Sequence, residues 1–349
     1  MKKIYTAAAL LLTLCLSLTA AFASGETLVS LSYLEETFSQ TLNDTITARL
    51  DAAGQDLRST LRRNAGGNAT LKEDDTLDAS AGLTFTPLGG SVRLSLSGGA
   101  VIDVTEGRET PPGPLEEGHR YLVAENTSAR FTVSSPAAVV SWEGPGTLTP
   151  SARPDCYAIA GALWSLDLFR GTGSGFGDGF DLYRAPTRGE GLVLFLRILG
   201  EEADALACTD GHPFADVPGW LEPYVAWAYR QGYSNGVSAA AFDPDRPISA
   251  PEFVELMLRA LGYSTAGTDD YASSLERGLE CGALTSGEYA ALSGSPFLRA
   301  HAAYLAYYSL DTLLSGTQQT LAQRMISAGL FTGEQLASAR SRVETLRLT

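Results

Sequence analysis

The chain has 349 residues, with 40 acidic side chains against 25 basic ones and a formal charge of −15 at neutral pH. Such a surface repels nucleic acid and anionic lipid over most of its area, so an anionic ligand has to be held at a local arginine site. The length allows two modest domains with connecting material.

Taken in chain order, Lys2 and Lys3 precede an apolar run from Ile4 to Leu18, and Ala21-Phe22-Ala23 supplies small residues at a cleavage site. Residues 1–23 are therefore expected to be a signal peptide. Cys15 follows Leu14 rather than the small residue that lipoprotein processing needs. Cleavage removes two lysines and takes the charge from −15 to about −17, leaving Lys72 as the one remaining lysine. No later segment is apolar for long enough to cross a bilayer, so an exported chain with no membrane span after cleavage is expected.

Residues 24–66 follow a helical pattern. Leu34, Phe38, Leu42, Ile46 and Leu50 recur every four residues, and Leu57 and Leu61 continue the stripe after a shift. This amphipathic helix must bury its stripe, on a sister chain by self-association or on another part of the same protein. Over residues 67–153 the pattern shortens to alternating runs such as Ser91–Leu96, Ala100–Val104 and Ala129–Val133, separated by Gly- and Pro-rich turns. A small antiparallel β-domain, barrel or sandwich, is expected there. His119 and Arg120 precede its Tyr121-Leu-Val run, with no nucleophile or second base nearby in sequence, so they read as loop or strand-edge residues.

The cysteines beyond the signal are Cys156, Cys208 and Cys281. Their odd number precludes a fully paired framework, and their spacing suits no zinc site, so no metal or cofactor is expected.

Residues 154–349 contain internal repeats. Phe180, Thr187, Glu190 and Leu196-Arg-Ile-Leu-Gly200 match Phe242, Ser249, Glu252 and Leu258-Arg-Ala-Leu-Gly262 without a gap, at an offset of 62 residues. Upstream, the first copy has three additional residues within Gly171–Gly179, a stretch that lacks the Gly-Lys-Ser/Thr ending of a phosphate-binding loop. Thr187-Arg-Gly-Glu190 and Ser249-Ala-Pro-Glu252 read as capping boxes, each opening the second helix of a helix–loop–helix unit. Asp216 reads as the cap of a helix beginning near Gly219.

Phe214-Ala-Asp-Val217, Trp220, Tyr224-Val225, Gly232-Tyr-Ser-Asn-Gly236 and Phe242-Asp-Pro244 together resemble a surface-layer homology (SLH) repeat, and Pro186-Thr-Arg-Gly-Glu190 is similar to that family's Ile-Thr-Arg-Ala-Glu signature. A weaker third unit carries Phe297-Leu-Arg-Ala-His301 at the signature position, giving repeats at about 157–207, 208–262 and 263–330. The fold class expected is thus α+β: an N-terminal amphipathic helix, a small antiparallel β-domain, and an all-α pseudo-threefold module. The resemblance implies non-covalent anchoring to the bacterial cell wall, in a surface-layer or display role. Grooves between the repeats would bind secondary cell-wall polysaccharide, with a pyruvate ketal meeting the signature arginine.

The residues it selects are Arg188 and Arg299 as anion contacts, Thr187 and Glu190 beside them, Trp164 and Trp220 against a sugar face, and Asn235 and Gly236 in the turn. Arg188 falls at a helix start, where free backbone N–H groups would add to its attraction for a carboxylate. The pattern is broken by Ala250 at the arginine position of the second unit, and by Leu298 and His301 in place of the cap and glutamate of the third. No catalytic residues are expected. Two alternatives stand beside anchoring: an envelope protein that assembles through its N-terminal helix and β-domain, with non-binding repeats, and a wall-targeted hydrolase using an acidic pair.

Overall fold

The computed structural model describes residues 67–172, 179–264, 271–294 and 296–349. The expected signal peptide, the amphipathic helix and most of the glycine-rich loop lie outside them. The described chain is α+β, with strands in its first part and helices in the rest.

Two antiparallel sheets form the β-domain. One has the order β1 (Gly67–Lys72), β10 (Ala137–Glu143), β3 (Thr84–Gly89), β8 (Tyr121–Val123), β5 (Val101–Asp103), β6 (Arg108–Thr110). The other runs β11 (Gly146–Thr149), β2 (Thr76–Ser80), β9 (Ser128–Val133), β4 (Val92–Leu96), β7 (Gly113–Pro114). The period of two in β2, β4 and β9 turns Leu77, Ala79, Val92, Leu94, Phe131 and Val133 into one shared interior, where Phe85 stacks on Phe131 at 4.2 Å. The architecture is a sandwich.

The first repeat consists of α1 (Cys156–Ser165) and α2 (Arg188–Leu199), with a short α3 (Glu202–Leu206) behind it. The second is α4 (Glu222–Arg230) and α5 (Ala250–Ala260). In the third, α6 (Ser274–Glu280) and α8 (Arg299–Ser309) are the repeat helices, and α7 (Ser286–Ser293) is an added helix in the loop between them. The chain continues through α9 (Leu321–Ser327) and α10 (Gly333–Arg340). The helix pairs turn alike: Asp167, Gly232 and Gly282, just past α1, α4 and α6, all have positive φ, at 59°, 72° and 75°. That backbone favours glycine, and aspartate is one of the few other residues to adopt it.

Thr187 and Ser249 accept the N–H of Glu190 and Glu252, and each glutamate accepts the cap residue's N–H in return, so both capping boxes form. The apolar runs that follow, including Phe195, Leu196, Phe253 and Leu258, are buried in one helical core. That core also takes Ala137 and Val139 from β10, and a Cβ on Gly89 would lie 2.6 Å from the Tyr183 ring, so sandwich and helices share packing.

Candidate functional site

Helix starts join the repeats to one another. The first two N–H groups of α2, from Arg188 and Gly189, donate to Arg246 O at 2.8 Å and Pro244 O at 3.0 Å in the second unit. In the third unit, Arg299 and Ala300 N–H donate to Arg184 O at 2.8 Å and Leu182 O at 2.9 Å in the first. This corrects the expectation of free N–H groups at Arg188: those donors are spent on holding neighbouring units together.

The arginine side chains follow the same direction. Arg188 is 7% exposed and reaches across to the second unit, with Nη1 3.2 Å from Glu252 Oε1 and Nη2 3.3 Å from Ser234 Oγ. Its guanidinium lies over the Phe242 ring at 5.0 Å. Arg299, also 7% exposed, reaches the first unit, donating from Nε to Phe180 O at 3.0 Å and from Nη2 to Arg170 O at 2.9 Å. Its Nη1 lies 3.7 Å from Glu190, its guanidinium covers Phe169, and burial pulls its pKa below the usual value. These contacts make Arg299 a brace between the third and first units.

Each capping glutamate therefore meets two guanidiniums. Glu190 takes Arg184 at 2.6 Å as well as Arg299, and Glu252 takes Arg246 at 2.6 Å as well as Arg188. Burial opposes ionisation of Glu252, but donation from Arg246 and from the Ser249 N–H and hydroxyl prevails and lowers its pKa to about 2. Between the second and third units the pairing is absent on both sides, with Ala250 at the arginine position and His301 at the glutamate position. His301 Nδ1 accepts the Leu298 N–H at 3.0 Å, replacing the glutamate's backbone contact, and burial drops its pKa to about 4, so the ring is neutral.

A narrow cleft between the first and second units is lined by Arg188 and Leu192 of α2, by Glu252, Leu256 and Arg259 of α5, and by Ser234 and Tyr271 among others. Arg188 shares Glu252 with Arg246 there, and Arg259 is paired with the buried Glu255 at 2.9 Å. Arg188 Nε is buried and has no hydrogen-bond acceptor among the described residues. Arg259 and Tyr271 were not selected from the sequence. Arg259 belongs to the Leu-Arg-Ala-Leu-Gly closure shared by two units, a repeated charge within an apolar run that could have marked it.

The other selected residues have distinct places. Thr187 and Glu190 are engaged in capping and in the arginine pairs. Asn235 is exposed next to cleft-lining Ser234. Gly236 has φ of 76°, and a Cβ there would come within 2.3 Å of the Phe214 ring, so it serves the turn. Trp164 and Trp220 are 61% and 57% exposed, and neither lines the cleft. Asp216 caps no helix: its carboxylate accepts the Phe242 and Asp243 N–H groups at 2.8 Å, which hold its pKa below the ordinary range. The three cysteines are free thiols, and burial drives the Cys156 pKa upward.

Sequence distance had hidden a further pair in the sandwich. His119 Nδ1 lies 2.8 Å from the buried Asp103 carboxylate, and hydrogen bonding to Asp103 raises the His119 pKa. Asp103 also accepts the Thr105 and Glu106 N–H groups, so the pair ties the turn after β5 to the start of β8. Among the described residues no group of three or more His, Cys, Asp or Glu side chains is placed to hold a metal ion.

No family model matches the chain. It is similar to a cell surface protein of Thermoanaerobacter kivui, 27% identical over 147 residues, which cover 41% of this chain and 19% of that one. The chain thus spans about a fifth of that relative's length. Among solved structures, procruciferin, an 11S globulin of Brassica napus, is 10% identical over 24% of this chain and 22% of that one, with a TM-score of 0.17. The 11S allergen of Cocos nucifera is 16% identical over 37% of this chain and 41% of that one, with a TM-score of 0.16. Likenesses at these TM-scores define no shared fold. Among the described residues no helix is long and apolar enough to cross a membrane.

Proposed function

We propose that this is a non-catalytic protein of the bacterial cell surface, retained on the wall through an acidic polysaccharide bound in the cleft between its first and second helical units. The carrying observation is the charge around the cleft: Glu252 is shared by Arg188 and Arg246, Glu255 by Arg259 and Arg277, and Arg188 Nε–H has no acceptor among the described residues. In a chain of net charge −15, such a local excess of guanidinium is where an anionic sugar substituent such as a pyruvate ketal is drawn. Tyr233, whose hydroxyl donates to Glu201, and Tyr271 line the same cleft, and an aromatic ring there suits a sugar face. The similarity to a cell surface protein and the resemblance of the repeats to SLH modules support the location.

The test is retention on purified wall polysaccharide. Arg188→Ala, checked for folding by circular dichroism, is expected to lower retention at least tenfold, and Arg299→Ala to leave retention per folded molecule unchanged. Full retention by Arg188→Ala overturns the arginine mechanism. No retention of the unaltered protein favours an envelope protein that assembles through its N-terminal part, and release of glycan fragments from wall material favours a hydrolase.

A further inference from the structure

The third unit has a counterpart of the cleft, and the chain itself lies over it. Glu252 and Leu256 line the cleft of the second unit; their equivalents His301 and Leu305 line a pocket that also includes Tyr304, Cys156 and Leu348. The equivalence is fixed by the turns after α4 and α6, where Ser234 and Leu284 N–H donate to Ala228 O and Gly278 O, and by the aligned starts of α5 and α8.

Residues 345–349 hold this groove closely. Arg347 forms a two-pronged pair with the buried Glu288, at 2.7 and 2.8 Å, and its guanidinium lies over Tyr308 at 5.6 Å. Leu348 N–H donates to Tyr304 Oη at 2.8 Å, Thr285 Oγ1 donates to Leu348 O at 2.6 Å, and Tyr308 Oη donates to Thr345 O at 3.1 Å. One contact reproduces the second unit's own chemistry. There Arg259 donates to Tyr233 O; in the third unit tyrosine stands at the position of Arg259, and Arg347 donates instead to Ala283 O, the equivalent carbonyl, at 2.9 Å. The segment thus brings back, from elsewhere in the chain, the guanidinium that α8 lacks.

We propose that residues 345–349 are a built-in plug that lies across the third unit's groove and keeps saccharide out of it, leaving the cleft beside Arg188 as the open groove of the pair. The exclusion of saccharide rests on the cleft reading given above; the covering of the groove does not. Displacing the plug bares a wall of Tyr304, Tyr308 and His301, whose aromatic faces suit a sugar ring.

The experiment measures modification of His301 by diethylpyrocarbonate, read by mass spectrometry, and the stoichiometry of binding to an acidic wall oligosaccharide. Two variants are used in the full chain. One deletes residues 344–349 in a Glu288→Gln background, so that no buried carboxylate is left unpaired. The other is Leu348→Gly, which keeps the Arg347 pair. Both are taken forward with their thermal transitions recorded. His301 is expected to react at least tenfold faster in the deletion variant and severalfold faster in Leu348→Gly, with a synthetic peptide of residues 343–349 slowing the deletion variant again. Bound oligosaccharide is expected to rise from one to two per chain. An unchanged His301 rate in both variants overturns the plug. A faster rate with stoichiometry still at one overturns the exclusion of saccharide. If the unaltered chain binds no oligosaccharide, the cleft reading falls, and the covering is judged by His301 reactivity alone.

Discussion

Arg188 and Arg299 start equivalent helices, are equally buried, and each approaches the capping glutamate of the next unit, yet they are left in different chemical states. Arg299 Nε finds Phe180 O, and Nη2 finds Arg170 O, carbonyls at either end of the longer loop of the first unit. Arg188 meets the second unit, whose loop is three residues shorter, and its Nε finds no acceptor among the described residues. Loop length, rather than the signature arginine, separates a brace from a residue with a donor to spare. The junction of the second and third units extends the comparison. There arginine and glutamate are both gone, so neither charge is stranded: a buried charge is tolerated when paired, and so pairs are lost together.

The largest expected effect comes from breaking a charged junction. Glu252→Ala leaves Arg188 and Arg246 without their shared carboxylate and should destabilise the chain by about 3–5 kcal/mol in denaturant titrations. The same residue sets an acid limb. Its pKa is about 2 in the folded chain against an ordinary 4.5, so its contribution is complete above about pH 4.5 and is lost as pH falls toward 2. Glu252→Gln should flatten stability against pH in that window; an unaltered acid limb would show that the carboxylate is not held as described.

Next in size is an attempt to write the missing pair into the neutral junction. Ala250→Arg and His301→Glu should each destabilise by about 2–4 kcal/mol as buried unpaired charges, and the double substitution should recover part of the loss. A coupling of about 2 kcal/mol in the thermodynamic cycle would establish the junctions as equivalent, and additive losses would refute that. Arg299→Ala follows, at about 2–3 kcal/mol, since two carbonyls and Glu190 lose a charged donor.

Much of this architecture was legible from local signals. The capping boxes at Thr187 and Ser249 come from a three-residue spacing and formed as read. The strands around Val92, Val101 and Phe131 follow from alternation and turn chemistry. The signature arginines were legible as residues but not in their partners, because Arg188 and Glu252 lie 64 positions apart and only the closing of the repeats brings them together. The same holds for His119 with Asp103, and for Arg347 with Glu288, 59 positions away in a tail with no repeat pattern of its own. The helix-start N–H groups looked free because a sequence shows which donors a helix leaves over, not which neighbouring carbonyl takes them.

The smallest effect distinguishes the two capping boxes from each other. Thr187→Ala removes the acceptor for the Glu190 N–H, an interaction of 3.2 Å, and should cost about 1 kcal/mol. Ser249→Ala removes the equivalent contact to the Glu252 N–H, but also a donation from Ser249 Oγ to Glu252 Oε2 at 2.8 Å. That second bond helps hold Glu252 ionised, so Ser249→Ala should cost more than Thr187→Ala and should also raise the low-pH end of the acid limb, while its start near pH 4.5 stays in place. Thermal unfolding of both variants at pH 7 and again near pH 2 separates the contributions. Equal losses at both pH values would mean that the hydroxyl serves the helix cap alone, and that the two arginines suffice to keep the carboxylate charged at the cleft.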